Sequence, residues 1–216
     1  MILKYMITTG MILGAFAIVG TSLVAVTNSG TQERIAEAKR QALAETLHAL
    51  IPPERHDNDL ATDTIDITAP EFLGSKKPVR VYRARKTGLP IAALFATIAP
   101  DGYSGEIKLL VAVNADGSIA GVRVLAHRET PGLGDFIEES KSDWIKGFDG
   151  KSLFNPVEKH WKVRKDGGVF DHTTGATITP RAIVKAVYNT LSYFRQHQSE
   201  IFNGPAAATP EATPHG

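Results

Sequence analysis

Asp171-His172-Thr173-Thr174-Gly175-Ala176-Thr177-Ile178-Thr179-Pro180 reads as the end of an extended segment, a tight turn and the start of a helix. Val169 and Phe170 close the apolar run before it, and Gly175 supplies the backbone freedom that the turn needs. Thr179 followed by Pro180 predicts an N-cap with proline at the first helical position, where its missing N–H costs nothing. Beyond it, Ile183, Ala186, Val187, Thr190, Leu191 and Phe194 recur at helical spacing and give one apolar face. A hydroxyl-rich turn at a helix N-terminus is a natural phosphate seat, because free N–H groups and the helix dipole both favour negative charge. The same residues also read as a capped helix with solvated hydroxyls. Chemistry alone leaves both readings open.

Working outward, strands are predicted at 64–67, 79–85, 91–99, 106–113 and 119–126, separated by turn signals at 76–78, 87–90, 100–102 and 114–117. Asp116-Gly117, between two runs of alternating apolar residues, marks an antiparallel hairpin. His127-Arg128-Glu129-Thr130-Pro131-Gly132-Leu133-Gly134 then closes the sheet segment, and Asp135 is placed to cap a helix starting at Phe136. Trp161, Val163, the Lys165-Asp166-Gly167-Gly168 turn and Val169-Phe170 predict a further hairpin, with Trp144 and Trp161 as core or rim residues. The fold class expected is α+β: a single N-terminal transmembrane helix, then a compact domain with an antiparallel sheet and packed helices.

The anchor rests on residues 5–26, an uncharged apolar run long enough to cross a bilayer. A cleaved signal peptide competes with it, although the run is long for a signal core and no good A-x-A site follows. Lys4 before the span argues for the N-terminus inside, while Arg34, Lys39 and Arg40 follow it. Ile35, Ala38, Ala42, Leu43, Leu47 and Leu50 predict an amphipathic stalk helix ended by Pro52-Pro53. The expected organisation is an anchor at 1–30, a helical stalk and linker at 31–60, a domain at 61–203 and a disordered tail at 204–216. A net charge of +1 without a long Lys/Arg run gives no case for nucleic acid. Cysteine is absent, which removes disulfides, iron–sulfur clusters and thioether-linked cofactors, and no ligand cluster argues for a metal.

Asp171-x-x-Thr174-Gly175-Ala176-Thr177-x-Thr179 resembles the D-x-x-[ST]-G-A-T-x-[ST] signature of the FMN-binding domain family, and Glu129-Thr130-Pro131-Gly132-Leu133-Gly134 resembles its second signature. The resemblance spans roughly residues 65–198. It implies that Thr177 carries FMN as a phosphoester, installed by a separate flavin transferase that uses FAD as donor. It further implies that Asp171, Thr174, Gly175 and Ala176 belong to the attachment motif. By the same resemblance Glu129, Thr130, Gly132, Leu133 and Gly134 lie beside the isoalloxazine ring. Glu129 reads equally as a structural acceptor for turn amides. Within the family, the single anchor and compact domain are most similar to the G subunits of Rnf-type (Rsx) ion-translocating electron transport complexes. Such a protein relays electrons among other membrane and redox subunits, with its domain on the periplasmic side of the inner membrane. The alternatives are the C subunit of a sodium-pumping NADH:quinone oxidoreductase and a cofactor-free membrane-tethered binding module. A flavin enzyme with its own substrate finds no support, since no His/Asp or paired-carboxylate constellation is present.

Overall fold

A computed structural model describes residues 2–172 and 175–206; it divides into two units, one up to Glu45 and one from Thr46. Helix α1 (Ile2–Leu50) carries the apolar run and the charged stretch after it without interruption. The sequence reading divides this stretch into an anchor at 1–30 and a helical stalk from 31. A single Gly30 weakens a helix by only about 1 kcal/mol and does not end it. The apolar part has a mean hydropathy of 2.0 over its best window, long and apolar enough to cross a membrane. Thr8, Thr21 and Thr27 each donate their hydroxyl to the carbonyl four residues back, at 2.9, 2.7 and 2.8 Å, so these polar groups are satisfied within the helix.

The second unit is built on a meander of five antiparallel strands in chain order: β1 (Thr64–Ile67), β2 (Val79–Lys86), β3 (Leu89–Gly102), β4 (Gly105–Asn114) and β5 (Ile119–Ala126). Strands β2 and β3 run further than their sequence signals because Thr87-Gly88 turns the chain in two residues, both with positive φ. One turn of helix, α2 (Pro70–Leu73), joins β1 to β2, and its Leu73 carbonyl accepts from the buried Thr97 hydroxyl of β3 at 3.1 Å. The register puts Val81, Phe95, Val111 and Val122 in one row across the sheet. Helix α3 (Ile178–Asn203) covers that face with Ile183, Val187, Leu191 and Phe194, all buried, and Phe194 meets Phe95 edge to face at 6.2 Å. Tyr82, Leu94, Ala112 and Gly121 form the neighbouring row, on the opposite face. Leu50 fills the space above Gly121, where a Cβ would come within 2.6 Å of its Cδ2. Leu47, Leu50, Ile51 and Leu60 are all buried, so the core of this unit starts at the end of α1 rather than at residue 61.

A buried charge network holds the far end of α3. Arg83 donates to the carbonyls of Ile201 and Gly204 at 3.2 and 2.6 Å, and Arg85 to that of Phe202 at 2.5 Å. Asp63 bridges both guanidinium groups, at 2.5 Å from Arg83 and 2.9 Å from Arg85. The helix therefore ends on two cations set against its unpaired carbonyls and dipole.

Between β5 and α3 the chain has 3-10 turns and little regular structure. The helix expected at Phe136 is a single turn, Asp135–Ile137, and the hairpin expected at 161–170 is one bridge, Val163 to Phe170, beside a turn at Arg164–Asp166. Side-chain packing replaces backbone pairing there. Phe148 stacks on Phe170 at 4.6 Å, Trp161 lies 5.1 Å from Phe170 and Trp144 meets Phe148 edge-on at 5.4 Å. The indole of Trp144 donates to the carbonyl of Asp171 at 2.8 Å, which pins the chain just before the threonine-rich turn.

Candidate cofactor site

Three segments converge on a cavity of about 190 Å³: the β3–β4 turn at Tyr103, the loop carrying Glu129, Thr130, Leu133 and Gly134, and the run from Gly175 to Thr179 at the start of α3. Glu129 holds them together. It is only 4% exposed, and its two carboxylate oxygens accept from the Ser104 N–H at 3.0 Å and from the Thr179 hydroxyl. With both oxygens so engaged, Glu129 braces the three segments together. Gly134 is required for this contact: a Cβ there would lie 2.8 Å from Glu129 Cβ and 3.4 Å from Thr179 Oγ1. The loop is closed by the Thr130 carbonyl, which accepts from Leu133 and Gly134 at 3.1 and 2.9 Å.

Thr179 is not the N-cap that the Thr-Pro pair predicted. Its hydroxyl is committed to Glu129, its exposure is 1%, and α3 starts two residues earlier than that pair predicts, with Thr177 at the cap position. Pro180 still falls within the first turn, where no intrahelical donor is needed. The Thr177 side chain makes no capping bond, and its hydroxyl has no hydrogen-bond partner among the described residues. It is half-buried and lines the cavity. The N–H groups of Ile178 and Thr179 are likewise without partners among the described residues. Among the described residues, an unpartnered hydroxyl thus sits beside unpartnered donors at the positive end of a long helix.

Other residues singled out in the sequence fall differently. Asp171 does not line the cavity; it pairs with Arg164 at 2.9 Å, both largely exposed. The Gly132 N–H donates to Asp135 at 2.7 Å, so Asp135 closes the loop rather than capping a helix, and Gly132 also lies outside the lining. Thr174, like Thr173, lies outside the described residues. Behind the loop, His127 Nδ1 accepts from the Glu129 N–H at 3.0 Å and Nε2 contacts Glu138 at 2.8 Å. That bond from His127 holds the Glu138 carboxyl below the usual carboxylate range. Tyr103 and Ile178 are lining residues that sequence reasoning missed.

Residues 102–192 match the FMN-binding domain family, and residues 1–50 match the RnfG N-terminal region. The G subunit of an ion-translocating oxidoreductase complex from Shewanella oneidensis is 50% identical over 93% of this chain and 94% of its own. Those from Pseudomonas aeruginosa and Vibrio cholerae are each 48% identical, over 95% and 91% of this chain and 96% and 93% of theirs. The chain belongs to this G-subunit family. In this family member the FMN-binding match begins in the β3–β4 turn and ends within α3, so it contains all three segments that line the cavity. The N-terminal match ends at the last residue of α1. Relatives of this name and coverage favour the G-type reading over the C-subunit alternative.

The residues present fit FMN. Leu133, Ala176 and Ile178 give apolar wall, and Tyr103 gives an aromatic one, as a flat ring system needs. The hydroxyl and N–H groups at the start of α3, unpartnered among the described residues, suit a phosphate. At about 190 Å³ the cavity falls below the roughly 300–1,000 Å³ of pockets that enclose a ligand, so a group of this size is only partly covered.

Proposed function

We propose that this chain is a membrane-anchored electron relay, carrying FMN as a phosphoester on Thr177 within an ion-translocating oxidoreductase complex. What carries the reading is the Thr177 hydroxyl, unpartnered among the described residues, in the cavity at the cap of α3 of a G-subunit family member. When bound, FMN supplies one- and two-electron redox chemistry at its ring. Thr177 supplies the ester oxygen, and the first-turn N–H groups of α3 compensate phosphate charge. Glu129 keeps the β3–β4 turn, the 129–134 loop and α3 in register, and Gly175 and Ala176 bring the chain to Thr177 without bulk. Thr174 and Asp171 stand nearby in sequence as parts of the attachment turn. A flavin transferase installs the group, and the partners in electron transfer are the other membrane and redox subunits of the complex.

Self-sufficient dehydrogenase activity lacks a seat. No G-x-G-x-x-G run follows a strand to hold a dinucleotide. The flavinylated protein is therefore expected to be reduced by dithionite and to stay oxidised with NADH alone. Bleaching of the flavin within seconds by stoichiometric NADH, without partner subunits, would replace the relay with a dehydrogenase.

The side of the membrane is read from the complex, since Lys4 before the span and Arg34, Lys39 and Arg40 after it pull the charge rule in opposite directions. The domain is assigned to the periplasmic side of the inner membrane. Protease added to intact spheroplasts is expected to digest it; protection until lysis would reverse the assignment.

A further inference from the structure

The loop at 129–134 is closed at its base by one side chain. His127 stands just before it and Glu138 just after, and the imidazole Nε2 reaches the Glu138 carboxylate at 2.8 Å. The other ring nitrogen, Nδ1, lies 3.0 Å from the Glu129 nitrogen, whose N–H donates to it. A backbone N–H can only give its proton, so Nδ1 is the bare nitrogen and Nε2 carries the hydrogen. The ring is therefore held as the neutral Nε2–H tautomer, donating to Glu138. Glu129 is fixed at both ends: its N–H by His127, its carboxylate by the Ser104 N–H and the Thr179 hydroxyl. This string of contacts runs from Glu138 through His127 and Glu129 to Thr179, and stops two residues from Thr177. The His127 side chain is only 12% exposed and lies outside the cavity lining.

We propose that His127 is a positioning residue of the flavin site: its bare Nδ1 holds Glu129, and with it the 129–134 loop, in place relative to Thr177, and a second proton on the ring releases that hold. This rests on the FMN reading above and concerns a residue outside both signatures. A ring protonated on both nitrogens sets Nδ1–H against the Glu129 N–H, donor against donor, and the backbone of buried Glu129 loses its partner. The charged groups around the ring come from three segments. Glu138 faces Nε2, and Lys141 acts on that carboxylate. Arg123 of β5 and Glu139, paired at 2.6 Å, share with His127 and Glu138 a surface cavity of about 390 Å³. The Glu129 carboxylate is turned to its own two donors. Glu138 thus favours the charged ring and the Glu129 N–H opposes it.

The test uses the full chain in detergent, made with a flavin transferase, as wild type, His127→Asn and His127→Gln. Asparagine places an oxygen near the Nδ1 position and does not titrate. Glutamine places its amide near the Nε2 position and leaves the Glu129 N–H without an acceptor. Emission after denaturation reports how much flavin is attached, and visible circular dichroism per attached flavin reports how firmly the ring is held. Between about pH 8 and about pH 5, where histidine gains its second proton, wild type is expected to lose most of that dichroism reversibly. His127→Asn should keep most of it at both pH values, and His127→Gln should lack most of it at both. A merely structural His127 would shift the melting temperature of both variants and leave the wild-type dichroism indifferent to pH. No acid loss in wild type, the same acid loss in His127→Asn, or wild-type dichroism in His127→Gln would overturn the proposal while leaving attachment intact. Should His127→Gln fail to fold, the comparison of wild type with His127→Asn decides alone. If wild type carries no attached flavin, it is the phosphoester reading that fails. The hold is then read by titrating free FMN at about pH 8: several-fold weaker binding is expected in His127→Gln than in wild type and His127→Asn, and equal binding overturns it.

Discussion

Thr177→Ala is expected to abolish covalently bound flavin while leaving a folded protein. The side chain makes no capping bond and braces nothing among the described residues, so its loss removes only a hydroxyl from a half-buried position. An N-cap threonine that does bond its helix is worth about 1 kcal/mol, and this one contributes less because that bond is absent. Thr179→Ala is the instructive comparison. It removes a partner of buried Glu129, so it should lower stability by about 1–3 kcal/mol. It leaves the attachment oxygen in place. In-gel flavin fluorescence after denaturation should vanish in the first variant and persist in the second. Persistence in Thr177→Ala would move the attachment to another residue.

Asp63→Ala should destabilise the fold far more than removal of an exposed charge. Arg83 is 3% exposed, and among the described residues it draws its counter-charge from Asp63 alone, at 2.5 Å. Arg83 and Arg85 are aimed at the carbonyls of Phe202 and its neighbours at the end of α3. Removing Asp63 leaves two cations close together, one of them buried, at a loss of about 3 kcal/mol or more. Asp66→Ala breaks a comparably close pair with Arg80, but both partners are about a third exposed, and it should lose less than about 1 kcal/mol. Urea unfolding of a soluble fragment beginning near residue 31 measures both, and keeps Leu47, Leu50 and Ile51 on the sheet. Equal effects of the two substitutions would show that the Asp63 network is no more than surface decoration.

The sheet is legible in the sequence because its residues alternate. β1 and β5 fall on the residues that period-two patterning picks out, and Val81, Phe95, Val111 and Val122 line up as that pattern requires. The apolar face of α3 is legible for the same reason, in its own period. The segment between β5 and α3 has no period, and its order comes from aromatic contacts such as Phe148 on Phe170. Local rules there promise a helix and a hairpin that packing does not need. Thr179 misleads because a Thr-Pro pair is a good cap signal, whereas its actual partner, Glu129, lies fifty residues away in sequence. Tyr103 carries no signal at all: one aromatic in a turn has neither period nor motif. The two signatures bring Glu129, Thr130, Leu133, Gly134, Gly175, Ala176 and Thr177 to one cavity, while Asp171 turns instead to Arg164.

Whether Thr177 holds FMN through a phosphoester is measured most directly by intact mass. Protein purified from a host with its flavin transferase should be heavier than the polypeptide by FMN less one water. Fragmentation should place that increment on the peptide containing Thr177. A mass equal to the bare polypeptide, in a preparation whose yellow colour is lost on denaturation, would contradict the phosphoester: the cavity would then hold FMN without a bond to the chain.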